Sequence, residues 1–189
     1  MAWPATLAAR RGARLRAEHL RYRPRAAHDG VLHCFLLDCS ASMLDGERLA
    51  RAKGLIVALF DRAARERAET ALVCFGGDAA DLRFGPAVPR WWNERWLAPV
   101  GGGGGTPLAH GVAAVQRVLA RAARRRPRQQ RWVWVLSDGR SSETPEAPAL
   151  ADQIVWVDFD DAALRLGRGE RLANAWGAWW RLPGELATT

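Results

Sequence analysis

Four stretches of the chain are apolar at nearly every position and stop abruptly at a polar residue. Val31 to Leu37 runs into Asp38, Thr70 to Phe75 into Gly76-Gly77, Trp132 to Ser137 into Asp138, and Ile154 to Val157 into Asp158. Continuous apolar runs of this length are expected of strands covered on both faces, not of half-exposed strands, which alternate. Between them the period changes. From Gly46 to about Arg67, Leu49, Ala52, Ile56, Leu59 and Ala63 recur at helical spacing, with Arg48, Arg51, Asp61, Arg62 and Arg65 largely outside the stripe. A second helix is predicted to open with Thr106 as cap and Pro107 in its first turn, burying Leu108, Val112, Val115, Leu119 and Ala122. Its end carries Arg121 and Arg124 to Arg126, matched to the negative end of the helix dipole.

A shorter strand is predicted around Ala80 to Phe84, close enough to its predecessor to form a hairpin. A last helix is expected over Arg168 to Ala178 and a terminal strand over Trp179 to Leu182. Residues 86–105 read as irregular, with Trp91, Trp92 and Trp96 in a short helix on the core, followed by the run Gly101 to Gly105. The alternation of strands and helices implies an α/β fold. Its sheet is doubly wound and mostly parallel, with one antiparallel edge strand and helices on both faces.

A length of 189 residues fits one domain with a sizeable core, and 49% hydrophobic residues exclude a disordered chain. The formal charge of +8 is almost wholly arginine, since Lys53 is the only lysine. The run Arg124 to Arg126, Pro127, Arg128 has no interleaved stacking aromatics and no nucleic-acid module around it, so it reads as a solvated helix end and argues against a nucleic-acid partner. Cys34 and Cys74 lie inside strand runs as small buried hydrophobes, which fits a cytoplasmic protein; Cys39 is expected to be more exposed. No stretch is long and apolar enough to span a bilayer.

The chemistry concentrates at strand ends. Asp38-Cys39-Ser40-Ala41-Ser42 follows the first strand, Asp138 follows the later one, and Thr106 opens a helix that starts at the same edge of the sheet. Ligands of open α/β sheets gather at that edge, where strand order reverses. Two carboxylates and three hydroxyls are hard, mostly neutral oxygen donors. They suit Mg²⁺ (or Mn²⁺) and leave the ion electrophilic enough to take an outside carboxylate. The glycine run lacks the Gly-Lys-Ser/Thr ending of a nucleotide-binding loop, which argues against ATP hydrolysis by this chain. Asp158, Asp160 and Asp161 read as solvated carboxylates at a strand end, because too little chain follows for a phosphatase site.

Asp38-Cys39-Ser40-Ala41-Ser42, Thr106 and Asp138 resemble the metal-ion-dependent adhesion site of von Willebrand factor A (integrin I-like) domains. Gly102 to Ala109, Leu136-Ser137-Asp138-Gly139-Arg140, His19-Leu20-Arg21-Tyr22, Ala52-Lys53-Gly54 and Ile154 to Asp158 are similar to the C-terminal domain of the magnesium chelatase D subunit and its cobalt chelatase relatives. The resemblance implies metal ligation by Asp38, Ser40, Ser42, Thr106 and Asp138, with Cys39 and Ala41 at the motif's variable positions. It also implies a subunit that is not an enzyme by itself. Its partners would be an AAA+ ATPase subunit and a large tetrapyrrole-binding subunit of a complex inserting Mg²⁺ or Co²⁺, with an acidic residue of a partner completing the metal site. A von Willebrand-type adaptor for a MoxR-type AAA+ chaperone is the alternative. Residues 1–30 are expected to form an N-terminal extension packed on a domain spanning 31–189.

Overall fold

The continuous apolar runs do form strands buried on both faces, and each divides its side chains between two cores with a period of two. In the computed structural model, which describes residues 29–90, 106–162 and 166–186, Leu32, Cys34 and Leu36 of β1 (Val31–Asp38) enter one core while Phe35 and Leu37 enter the other. β2 (Glu69–Gly76) sends Ala71, Val73 and Phe75 one way and Leu72 and Cys74 the other. β4 (Gln130–Ser137) and β5 (Gln153–Asp158) divide in the same manner, Trp156 facing the first core and Trp134 the second. A one-residue slip in any of these strands would exchange its two faces.

With β3 (Ala79–Ala87) and β6 (Trp179–Arg181), the sheet has six strands in the order β3-β2-β1-β4-β5-β6. β1 pairs in parallel with both β2 and β4, and β4–β5 and β5–β6 are parallel. β3 is the antiparallel edge strand formed by the hairpin, and β6 closes the opposite edge. α2 (Arg48–Glu66) supplies Leu49, Ala52, Ile56, Phe60 and Ala63 to one face. α3 (Leu108–Arg125) and α4 (Arg168–Ala175) cover the other through Val112, Val115, Leu119 and Leu172. Gly111 shows how closely α3 lies on the sheet: a β-carbon there would sit 2.9 Å from Leu36 Cδ1 and 3.1 Å from the Phe75 ring.

Element ends differ from the sequence expectation for local reasons. The helix expected from Gly46 is preceded by a short α1 (Ala41–Leu44) and a 3-10 turn (Asp45–Glu47), because Glu47 adopts a left-handed φ of 63° and α2 starts afresh at Arg48. α3 begins at Leu108; Pro107, with ψ 68°, precedes the helix and forms no part of it. α4 stops at Ala175, before Gly177 turns with φ 63°, and a four-residue α5 (Pro183–Leu186) ends the described chain. Cys39 is buried, contrary to the expectation of exposure. The expected N-terminal extension up to residue 28, the Trp91–Trp96 helix and the run Gly101 to Gly105 lie outside the described residues.

Candidate metal centre

Strand order reverses at β1. The chain leaves it for β2 on one side and later returns to β4 on the other, so a crevice opens between the carboxyl ends of β1 and β4. Asp38 ends β1 and Asp138 follows β4, which brings the two carboxylates to this crevice, both almost fully buried.

Asp38 organises the crevice. Its Oδ1 accepts the Ser40 backbone N–H at 2.9 Å, turning the chain after β1, and its Oδ2 accepts the Ser137 hydroxyl at 2.6 Å. Ser137 Oγ in turn accepts Gly139 N–H at 3.0 Å, so one hydroxyl joins the ends of β1 and β4. The Cys39 N–H bonds Phe75 O at 2.7 Å, tying the same loop to β2. Burial pushes the Asp38 carboxyl up to about 6 from its ordinary 3.8; the hydrogen bonds from Ser137 and Ser40 oppose the rise, and Asp138 adds to it.

The residues that carry hydroxyls lie on loops at the same edge. Ser40 Oγ and Ser42 Oγ lie 3.2 Å apart. Thr106 stands just ahead of α3, and its carbonyl accepts Ser141 Oγ at 2.8 Å, three residues beyond Asp138. Glu143 from the same loop reaches across to α3, where its Oε2 accepts Ala109 N–H at 2.7 Å. That contact supplies an acceptor to the first turn of a helix whose own N-cap residue makes no side-chain cap. Gly139 permits the loop to pass α4: its φ is +68°, and a β-carbon would meet Gly169 N at 2.5 Å.

Two arginines border the crevice. Arg48 Nη1 donates to Ser42 O at 3.0 Å and stands 3.7 Å from Asp138 Oδ2, while its Nε donates to Asp161 Oδ1 at 2.6 Å. Asp161 holds Arg48 protonated, and Arg48 keeps the Asp161 carboxyl below the usual range. Arg140 Nε lies 3.6 Å from Asp138 Oδ2, and its Nη2 lies 3.7 Å from Asp160 Oδ1. Sequence reasoning put Arg48 on the solvent side of its helix; it is 8% exposed. No periodicity could have shown this, because its carboxylate partners Asp138 and Asp161 are far away in sequence. Asp158 and Asp160, expected to be solvated, are buried: Asp158 accepts Trp180 Nε1 at 3.1 Å and Asp160 accepts Leu166 N–H at 3.2 Å. They close the β5–α4 loop and present no solvated phosphatase-like cluster.

The donor chemistry fits a hard divalent cation. Among the described residues no group of three or more His, Cys, Asp and Glu side chains could hold a metal, so an ion here would depend on hydroxyls as well as carboxylates. Both Asp38 oxygens are engaged by the protein, whereas Asp138 Oδ2 is buried without a hydrogen-bond partner. A buried acceptor left in that state is costly unless something else completes it. Beside the crevice, between the 141–147 loop and α4, lies a cavity of about 650 Å³ floored by Leu172 and Trp176 and edged by Glu143 and Arg168.

A doubly wound sheet with an antiparallel edge strand, carrying this Asp-x-Ser-x-Ser loop at its β1/β4 crevice, defines a class of α/β domain. The chain belongs to the von Willebrand factor type A domain family, whose sequence profile matches residues 34–140. It is 30% identical over 172 residues to an uncharacterized protein of Mycobacterium tuberculosis, covering 85% of this chain and 27% of that protein. It is 38% identical over 122 residues to the magnesium-chelatase 60 kDa subunit of Cereibacter sphaeroides, covering 64% of this chain and 21% of the subunit. The chain thus spans roughly a quarter of the length of these relatives. Solved structures of like fold include an aerotolerance-related membrane protein from Bacteroides fragilis, with TM-score 0.58 and 15% identity over 84% of this chain and 96% of that one. The SpRpn10 VWA domain gives TM-score 0.53 and 16% identity over 83% and 93%. Among the described residues no helix is long and apolar enough to cross a membrane.

Proposed function

We propose that this domain docks partner proteins through a divalent cation, Mg²⁺ or Mn²⁺, held by Ser40, Ser42 and Thr106 with Asp38 and Asp138. The observation that carries the reading is a buried Asp138 Oδ2 that no hydrogen bond completes, at the crevice where the Asp38 loop bears two neighbouring serine hydroxyls. When bound, the ion supplies a Lewis-acidic point to which an acidic side chain of a partner can bind. Asp38 and Ser137 fix the loop that presents the serines, and the Ser141–Thr106 bond ties the Thr106 backbone to the Asp138 loop. The neighbouring cavity gives the same partner an apolar recess beside its acidic contact.

Similarity to magnesium-chelatase subunits supports a chelatase-related role. In this reading the chain is a non-catalytic subunit of an ATP-dependent complex that inserts Mg²⁺ or Co²⁺ into a tetrapyrrole. It joins an AAA+ ATPase subunit to the large subunit that holds the tetrapyrrole. The docked cation and the inserted metal are separate ions.

The test is affinity capture from the native host in Mg²⁺ and in chelator, read by mass spectrometry. Recovery of an AAA+ ATPase and a chelatase large subunit in Mg²⁺, lost in chelator and in Asp138→Ala, is expected. Capture that is indifferent to chelator would refute cation-dependent docking. Cation-dependent capture of an AAA+ chaperone and another client would refute the chelatase assignment alone.

A further inference from the structure

The arginines at the crevice are not required by a hydroxyl and carboxylate cation centre, and they oppose it. Asp138 Oδ2 faces Arg48 Nη1 at 3.7 Å and Arg140 Nε at 3.6 Å, both beyond hydrogen-bond reach. Oδ2 and Arg140 Nε are each buried and each without a hydrogen-bond partner, although they face one another. The pair is therefore a charge contact whose hydrogen-bonding capacity is unspent. A guanidinium does not lose its proton at any ordinary pH, so this positive charge cannot be relieved by titration.

The two arginines are held differently. Arg48 is 10% exposed in its side chain and is anchored by hydrogen bonds to Ser42 O and Asp161. The Arg140 side chain is 35% exposed; its backbone N–H donates to Asp138 Oδ1 at 3.1 Å, while its guanidinium also approaches Asp160, at 5% exposure, to 3.7 Å. Arg140 can therefore withdraw from Asp138 while keeping a carboxylate neighbour, and Arg48 cannot without releasing the serine loop.

We propose that Arg140 is a built-in competitor of the divalent cation: its guanidinium balances Asp138 while the centre is empty, weakens cation binding, and shifts towards Asp160 when the cation takes Asp138 Oδ2. The inference rests on the cation centre proposed above. An ion bound to Oδ2 would lie within about 6 Å of the Arg140 nitrogen, close enough for like-charge repulsion to act even at a partly solvated site. Arg140 thereby sets the cation concentration at which the centre fills, making docking responsive to the level of free cation instead of permanently loaded. It is a positioning residue in this role and touches no partner.

The experiment is Mn²⁺ and Mg²⁺ calorimetry at pH 7.5 and fixed ionic strength on wild type, Arg140→Met, Arg140→Lys and Arg51→Met, each checked for an unchanged far-ultraviolet spectrum. Arg140→Met keeps the side-chain stem and should bind the cation roughly tenfold more tightly. Arg140→Lys keeps the charge and should stay near wild type. Arg51, whose carboxylate partner is Asp161 and not Asp138, should leave affinity within about twofold when replaced. If wild type binds but Arg140→Met is unchanged or weaker, or if Arg140→Lys tightens as much as Arg140→Met, the competitor role is wrong and the centre stands. If wild type and every variant bind no cation, the centre itself is refuted.

Discussion

Replacing Asp38 by Asn removes one charge from the centre with little change of shape, and its effect on metal-free stability depends on pH in a calculable way. Burial raises the Asp38 carboxyl from 3.8 to about 6, so the folded state holds this proton more tightly than the unfolded chain. A group of that kind contributes stability that is fully present below pH 3.8 and is lost as pH climbs through about 6. At pH 7.5 the ionised carboxylate then costs the metal-free fold about 3 kcal/mol relative to a neutral side chain. At pH 5 the cost is roughly half of that. In a domain of this size each kcal/mol moves Tm by roughly 2–4 °C. Thermal melts of chelator-treated wild type and Asp38→Asn should therefore separate progressively between pH 5 and pH 7.5, the variant gaining on wild type. His33, whose pKa burial lowers, is present in both proteins and cancels. Saturating Mg²⁺ should raise wild type at pH 7.5 and leave the variant nearly unmoved. A separation that stays constant across this range would refute the idea that Asp38 is a buried carboxylate awaiting a counter-charge.

Three further substitutions test how the fold supports the centre. Gly139→Ala places a side chain at φ +68° against the backbone of Gly169, and urea unfolding should show a loss of about 3 kcal/mol or more. Gly111→Val drives two methyl groups towards Leu36 and Phe75 and should cost about 1–3 kcal/mol, with partner capture surviving at low temperature. Glu143→Ala removes the acceptor at Ala109 N–H and should cost about 1 kcal/mol in urea unfolding. Because the helix start next to Thr106 is then less fixed, Mg²⁺ affinity should also fall several-fold by calorimetry.

The fold was legible because burial of the four central strands is nearly complete, while the edge strands β3 and β6 stay partly exposed. Val31 to Leu37 and Trp132 to Ser137 have no alternation to mislead, and only a sheet with covers on both faces accommodates them. The hairpin at Gly76-Gly77 likewise announced the antiparallel edge. Helix starts were less legible, since Glu47 with φ 63° and Pro107 with ψ 68° adopt backbone conformations that the apolar periodicity does not encode. At the centre, the Asp38 and Asp138 placement followed from strand ends plus topology. The supporting groups did not: Ser137, Ser141 and Glu143 act through contacts spanning 99, 35 and 34 residues of chain. The periodicity sets Arg48 outside its helix's buried stripe and gives Arg140 no role; Arg48 meets Asp138 from α2, and Arg140 from the loop that follows β4. Asp158 and Asp160 were misplaced for a related reason, as residues 166–186 fold back over them.

The central claim is that side chains from three separate stretches share one divalent cation, and anomalous diffraction from crystals grown in Mn²⁺ tests it most directly. A single manganese peak within coordinating distance of the Ser40, Ser42 and Thr106 hydroxyls, absent in Asp138→Ala crystals, is the expected result. A crevice without a peak at saturating Mn²⁺, or a peak held by other residues, would contradict it.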